Sequence, residues 1–576
     1  MYLRKPHACC EYALSGEVGK IVNVFGRNLL RIAVPDEAFR LVSRPGTYVT
    51  FRSSSGTKHL ALIAGYLLTD ELYKRGRVLE ELEGYEDVIV TRNEITAVVV
   101  GYVRDGKVVR GVESLPAPGE RVFLAGVDQL KPLLSSYDID VGTLVAAPGV
   151  NFTLDLNMLA SRHFAVLAMT GSGKSNTVAV IVSRILERYT SPRILLIDTH
   201  SEYVPLAKLF QGRVRVFSPS GVLQEMLRRR YGIDPQSLEV PLWSLGFEEI
   251  AELLRLDSRA TKQLLHLREA LLAVRREKWG EATPDDPIYF EPGKLLEEIR
   301  GRDDSATDLR LKLASLLDDP ELSFITSPSA SKEIYERVLA PEPEKSGQAY
   351  AQVYRRLFDE GLTIVALGGL PSEVQITTTA TILRALWRVV SAHVQAGASL
   401  PVLVIVEEAH IYAPKDRETP SRQILEKIAK EGRKFGVGLG IVSQRPRELS
   451  QTLLAQCGTL IAMRTTNPED QRHIMLSVED ITAELVQSLS SLTVGQALVS
   501  GAAAPLPAIV NIHSFSELYA VELGGKDVDW SKAWSGRQEF LDISKLLFSH
   551  REAKANSLGS NQKKPDKTAK LENFFQ

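Results

Sequence analysis

The stretch FAVLAMTGSGKSNT, residues 164–177, runs from an apolar strand through a glycine-rich loop into the polar start of a helix. Gly171-Ser172-Gly173-Lys174-Ser175 ends the phosphate-loop pattern G-x-x-x-x-G-K-[ST]. In such a loop, successive backbone N–H groups and the helix N-terminus surround phosphate oxygens. Thr170, Gly171, Ser172, Gly173, Lys174, Ser175 and Asn176 are therefore the candidate nucleotide-binding residues. Lys174 would reach the β- and γ-phosphates and Ser175 would ligate Mg²⁺, so ATP and Mg²⁺ are the expected cofactors. The pattern's first glycine is replaced by Ala168. One methyl is tolerable where the chain leaves the strand unless the backbone there needs a positive φ.

Further along, PVLVIVEEAH (401–410) ends an apolar strand in Glu407-Glu408. Two adjacent carboxylates at the end of a buried strand are costly unless they meet a cation or activate water. The usual order in this place is aspartate for the metal, then glutamate for the attacking water. Here Glu407 replaces the aspartate, adding a methylene to the metal-side reach, and Glu408 stands as the candidate base. Two expected strands, 193–198 and 362–367, intervene between the loop and the acidic strand, and Ser443-Gln444 closes the next one. That order matches ATPases with a strand inserted between the loop strand and the acidic strand, in which Gln444 would sense the γ-phosphate. Arg433, in EKIAKEGRKFGVGLGIVSQRP (426–446), stands just before the sensor strand, where it reads either as surface charge or a dipole partner at a basic helix end or as a residue supplied to a neighbouring subunit.

The near-continuous Val/Ile/Leu runs from residue 160 onward predict an α/β fold with a mainly parallel sheet covered on both faces. At 576 residues the chain is too long for one core. Residues 1–135 read as short strands of a small β-barrel, 136–220 and 351–515 as two parts of a P-loop ATPase core, and 221–350 as a helical insertion. In that insertion, Arg228-Arg229-Arg230 and Arg275-Arg276-Lys278 read as solvated helix faces. Residues 516–550 form a C-terminal extension, and 551–576, polar and lysine-rich, are expected to be disordered. A net charge of −2 argues against a chain coated in basic residues but leaves room for a basic channel. Cys9, Cys10 and Cys457 fit no metal spacing and read as reduced thiols. The absence of a signal-like N-terminus or a long apolar run predicts a cytoplasmic protein with no membrane partner.

RHFAVLAMTGSGKSNT, LLIDTHSEY, LVIVEEAH, EGRKFGVGLGIVSQRP, MRTTNPEDQ and VGQALVSG together resemble the HerA family of archaeal DNA-translocating ATPases, within the HerA–FtsK superfamily. The resemblance spans roughly residues 14–515. It implies a homohexameric ring that threads double-stranded DNA and works with a NurA-like nuclease in end resection, recombination and repair. By motif position it implies that Lys174, Ser175, Glu407, Glu408 and Gln444 form the nucleotide site, that Arg433 is a trans-acting finger, and that Arg162 is a second arginine near the nucleotide. DTHSEY departs from the family's more usual D-P-H-G-E-Y, and Asp198, His200 and Glu202 are expected to border the site. The loop 413–423 is a candidate DNA-facing loop. Two alternatives are a catalytically weak ring that recruits a nuclease and clamp to DNA, and a conjugation- or secretion-type DNA-pumping ATPase.

The last residues, TAKLENFFQ, resemble a sliding-clamp (PCNA) binding box. Leu571, Phe574 and Phe575 take its apolar places, with Thr568 where glutamine is usual.

Overall fold

The computed structural model describes residues 16–26, 28–44, 46–70, 91–219, 221–299, 303–328, 332–334, 343–477, 482–525 and 530–535. Cys9, Cys10 and the tail motif with Leu571, Phe574 and Phe575 lie outside the described residues.

Seven strands come first: β1 (Glu17–Phe25), β2 (Leu29–Val34), β3 (Tyr48–Arg52), β4 (Lys58–Asp70), β5 (Thr91–Arg104), β6 (Lys107–Arg110) and β7 (Arg121–Leu124). The order β2-β1-β7-β3-β4-β5, closed by pairing of β2 with β5, makes a six-stranded barrel, with β6 as a hairpin partner of β5. Inward β-branched and aromatic residues, among them Ile32, Val49, Phe51 and Val99, fill it. Strand β4 was not foreseen. Its register slips at Leu60/Ala61 and Ile63/Gly65, and such bulges erase the two-residue period by which a strand is read. The barrel is tied to the rest of the chain by the Tyr48 hydroxyl, which donates to the Pro507 carbonyl at 2.6 Å, and by Arg110, which donates to the carbonyls of Gly501 and Ala504.

The second sheet contains β8 (Ile139–Leu144), β9 (Asn151–Leu154), β10 (Phe164–Leu167), β11 (Arg193–Asp198), β12 (Val214–Ser218), β13 (Gln236–Ser237), β14 (Gly361–Ala366), β15 (Val402–Val406), β16 (Val437–Ser443), β17 (Thr459–Met463), β18 (Gln496–Gly501) and β19 (Ala508–Ile512). Its order is β13-β12-β14-β11-β15-β16-β10-β17-β18-β19-β8-β9. Pairing is parallel from β13 to β17 and antiparallel from β17 to β9. Every residue of β10, β15, β16 and β17 is buried, which is why these strands read as unbroken apolar runs. The strand that lies between β10 and the acidic strand β15 is β16, the one carrying Ser443. Strands β11 and β14 intervene along the chain but sit beyond β15, because helical crossovers let the sheet order depart from the chain order.

Five helices matter below: α1 (Lys174–Arg188), α2 (Thr261–Arg276), α3 (Asp304–Asp318), α4 (Ser372–Gln395) and α5 (Pro420–Phe435). α5 is well delimited. The Thr419 hydroxyl accepts from the Arg422 N–H, Pro420 occupies the first turn, and Gly436 ends the helix at φ +77°. Helices α2 and α3 belong to the insertion between β13 and β14. There, one expectation is overturned. Arg275 is fully buried, not solvated: its guanidinium donates to the carbonyls of Pro284, Trp243 and Leu245 and lies 5.6 Å from the centre of the Phe290 ring. Arg228 and Arg229 do form an exposed face, paired with Glu225 and Asp234.

Candidate nucleotide site

The loop after β10 curls over the carboxyl end of the parallel strands, where α/β sheets place their ligands. Gly171 and Gly173 have φ of +76° and +108°, conformations that a side chain would strain. Ala168 has no positive φ, so the extra methyl is accommodated; its N–H donates to the Ser443 carbonyl at 3.2 Å. The cleft above the loop, about 330 Å³, is lined by residues 169–171 and 173–176, by Glu202 and Gln444, and by Phe515, Ser516 and residues 522–525.

Three chemical groups converge on its floor. Lys174 is ion-paired with Oε1 of Glu408, and the Gln444 amide donates to the same oxygen at 2.6 Å. Thr170 donates to the Gln444 side-chain oxygen, which fixes that amide's orientation. Glu408 sits at φ +47°, an unusual backbone for a glutamate, which turns its carboxylate from the strand end toward the loop. Burial pushes the Glu408 carboxyl up, but Lys174 and Gln444 outweigh this and hold it below the usual range. His410 Nδ1 lies 3.4 Å from the other Glu408 oxygen and 3.2 Å from the Ser443 hydroxyl. Burial lowers its pKa despite the carboxylate, so the ring is neutral at pH 7.

Glu407 is buried, and no N–H or hydroxyl among the described residues donates to either of its oxygens. Its neighbour is Asp198, whose carboxylate accepts from the Glu202 and Tyr203 N–H groups, both at 2.9 Å. Burial raises Asp198 to about 7 and, together with the Asp198 charge, pushes Glu407 well above its ordinary value. Each carboxyl thus disfavours the charge of the other, and burial disfavours both. Glu202 completes the acidic edge by accepting from the Ser175 hydroxyl at 2.6 Å. The Glu407 oxygens without donors and the Ser175 hydroxyl, which Glu202 holds, are oxygen ligands of the kind that suits Mg²⁺. No group of three or more His, Cys, Asp or Glu side chains among the described residues is arranged to hold a metal ion. Mg²⁺ typically takes one or two protein oxygens and completes its shell from phosphates and water. His200 is exposed, and its side chain makes none of these contacts.

Sequence reasoning missed the chain after β19. Asn176 grips it with both ends of its amide: Nδ2 donates to the His513 carbonyl at 2.8 Å, and Oδ1 accepts from the Phe515 N–H at 2.7 Å. The Gly524 N–H then donates to the Glu202 carbonyl at 2.8 Å. Residues 513–525 thus form one wall of the cleft, and the Asn176 side chain holds that wall. No local pattern announces such a contact; an asparagine two residues after the Lys of a phosphate loop was the one available signal.

Arg162 and Arg433 are not at this cleft. Arg162 precedes β10 and Arg433 lies in the last turn of α5, so both stand at the amino ends of the strands. They share a separate cleft with Arg110 and Lys430. Both arginines are exposed. The loop 413–423 is braced internally: Arg417 pairs with Glu252, and Arg422 with Glu426 and the carbonyls of Pro414 and Lys415.

A phosphate loop at the end of a parallel strand, an acidic strand one place removed and a glutamine-ended strand between them define a P-loop ATPase fold. Family models for the helicase HerA central domain and the helicase HerA-like C-terminal domain match residues 139–386 and 394–516. The chain belongs to the HerA family. A probable helicase of Methanocaldococcus jannaschii is 31% identical over 444 residues, covering 75% of this chain and 81% of that protein. The DNA double-strand break repair helicase HerA of Pyrococcus furiosus is 29% identical over 494 residues, covering 80% and 87%. Among solved structures, VirB4 of Thermoanaerobacter pseudethanolicus aligns with 66% of this chain and 96% of its own at a TM-score of 0.46 and 15% identity. No helix among the described residues is long and apolar enough to cross a membrane.

Proposed function

We propose that the protein is an ATP-driven translocase or helicase on double-stranded DNA that works as a homohexameric ring in DNA repair. One observation carries this reading. Glu408, Gln444 and Lys174 meet at the loop, while the exposed arginine pair Arg162 and Arg433 stands at the far end of the same sheet. On this reading a single chain holds a base, a sensor and a phosphate cradle, and its exposed arginines, away from its own cleft, serve another chain's nucleotide. Ring-forming ATPases need that division.

In the reaction, Lys174 leaves Glu408 for the β- and γ-phosphates, and the backbone N–H groups of residues 171–175 hold the phosphate chain. The freed Glu408 carboxylate, still oriented by Gln444, accepts a proton from the water that attacks the γ-phosphate in line. Arg433, with Arg162, arrives from the neighbouring subunit to stabilise the charge on the transferred group. Ser175 and Glu407 would hold Mg²⁺, which neutralises phosphate charge when bound. Relatives named as DNA double-strand break repair helicases support DNA as the track and double-strand break repair as the setting. A NurA-like nuclease is the proposed partner at the ring. The tail residues Leu571, Phe574 and Phe575 are proposed to dock on a sliding clamp.

The pairings Lys174–Glu408 and Ser175–Glu202, which occupy the phosphate- and metal-binding side chains within the chain itself, also fit a second reading, a catalytically weak ring that recruits a nuclease and clamp. DNA-stimulated ATP turnover separates the two. The motor reading expects wild type to exceed Glu408→Gln by at least about 100-fold; equal rates favour the scaffold.

A further inference from the structure

His163 is a buried histidine in the left-handed region, at φ +60° and 3% exposed. A non-glycine residue held there is strained and persists only where its surroundings over-determine it. Here they do. Nε2 lies 3.1 Å from the Ala429 carbonyl in α5, and Nδ1 accepts from the Leu439 N–H of β16 at 3.0 Å. A carbonyl can only accept and an amide N–H can only donate, so the pair fixes the tautomer: proton on Nε2, lone pair on Nδ1. The His163 carbonyl accepts from Thr459 of β17 at 3.2 Å, and the preceding Arg162 carbonyl accepts from Gly458 at 2.7 Å. A Cβ at Gly458 would stand 2.9 Å from that of Arg162, so the backbone approach is close as well.

The two elements stapled in this way are the ones that carry the exposed arginines. Arg162 is the adjacent residue. Ala429 is one helical turn before Arg433, and in an α-helix the Arg433 N–H points to the Ala429 carbonyl. The ring N–H of His163 and the backbone N–H of Arg433 therefore share one acceptor. Both arginines line the same cleft with His163 and Ala429.

We infer that His163 is a positioning residue for the arginine pair: it locks the last turn of α5 to the head of β10, so that Arg162 and Arg433 are presented together to the nucleotide of a neighbouring copy of this chain. The inference rests on the trans-acting reading of Arg433. His163 lies at the opposite end of the sheet from its own chain's nucleotide cleft, so its loss should change turnover and not nucleotide affinity.

Two substitutions separate its two bonds. Asn tolerates the left-handed backbone and keeps an acceptor near the Nδ1 position but cannot reach Ala429. Gln keeps a donor near the Nε2 position. The test measures DNA-stimulated kcat and ATP-analogue Kd of the full-length protein for wild type, His163→Asn, His163→Gln, Arg433→Ala and the His163→Asn/Arg433→Ala double variant. Thermal melts check folding. The expected result is a kcat lowered by at least ten-fold in His163→Asn with Kd within two-fold of wild type. His163→Gln should restore most of the rate, and the double variant should be no slower than Arg433→Ala. A folded His163→Asn with wild-type kcat, or a double variant slowed by the product of the single effects, overturns the role of His163. If Arg433→Ala itself keeps wild-type turnover, the trans-acting reading fails instead. Should His163→Asn not fold, the Gln variant decides: a ten-fold loss of kcat despite its donor overturns the proposal.

Discussion

The Lys174 amine and the Glu408 carboxylate form an ion pair on the cleft floor, with side chains 10% and 2% exposed. The proposed phosphate-binding cation and the proposed base hold each other, and the proposed reaction has to separate them. Glu408→Gln removes both the proton acceptor and the competitor for Lys174. ATP turnover should fall by about 10²–10⁴ while ATP affinity stays equal or rises. Turnover and equilibrium binding of a fluorescent ATP analogue, measured on the same preparation, check this; weaker binding would contradict the pairing.

Asn176 holds residues 513–525 against the nucleotide cleft through two backbone hydrogen bonds. Asn176→Ala leaves both backbone groups without this partner, at a cost of about 1–3 kcal/mol. Amide hydrogen exchange should speed up over 513–525 and leave β15 and β16 unchanged. Unaltered exchange in that segment would mean the wall stands without Asn176.

Arg275→Met should be among the most destabilising changes in the insertion, because three carbonyls lose their donor in a buried setting. The expected loss is about 2–5 kcal/mol, against less than about 0.5 for the same change at exposed Lys278. Urea unfolding of the two variants provides the comparison, and similar midpoints would contradict the burial.

Burial lowers the pKa of His163 below its unfolded value of 6.5. A proton added at Nδ1 would face the Leu439 N–H, and the described residues lining the cleft beside it include Arg110, Arg162, Lys430 and Arg433 and no carboxylate. Folded chains therefore bind fewer protons than unfolded ones below about pH 6.5, so the stabilisation is full above that value and is lost as the pH falls toward the folded pKa. His163→Gln cannot titrate. The stability advantage of wild type over His163→Gln should shrink between pH 7 and pH 5; a constant difference would contradict the buried neutral ring.

The sequence made the nucleotide side of the fold readable where chemistry and period coincide. The all-buried strands β10, β15 and β16 are largely apolar runs, and they lead directly into the glycine-rich loop, Glu407-Glu408 and Gln444. What it hid depends on distance. Nothing near Arg275 announces the carbonyls of Trp243 and Pro284 that bury it, so a basic helix end read as solvent-facing. Strand β4 lost its alternation to two register slips. Asp198 could be placed at the site by its motif, but its effect on Glu407 arises only when β11 and β15 pair side by side. The chain after β19 returns to the loop through an asparagine whose partners lie more than 300 residues away.

The most direct test of a nucleotide site shared between subunits mixes two inactive proteins. Glu408→Gln subunits lack the base but carry an intact Arg433; Arg433→Ala subunits carry the base but lack the finger. With random mixing at equal amounts, about one interface in four joins an intact Glu408 to an intact Arg433. ATP turnover should therefore return in the mixture, highest near equal proportions, although each protein alone is slowed by about 10²-fold or more. No recovery at any ratio, in rings shown to contain both subunits, would contradict a site built by two chains.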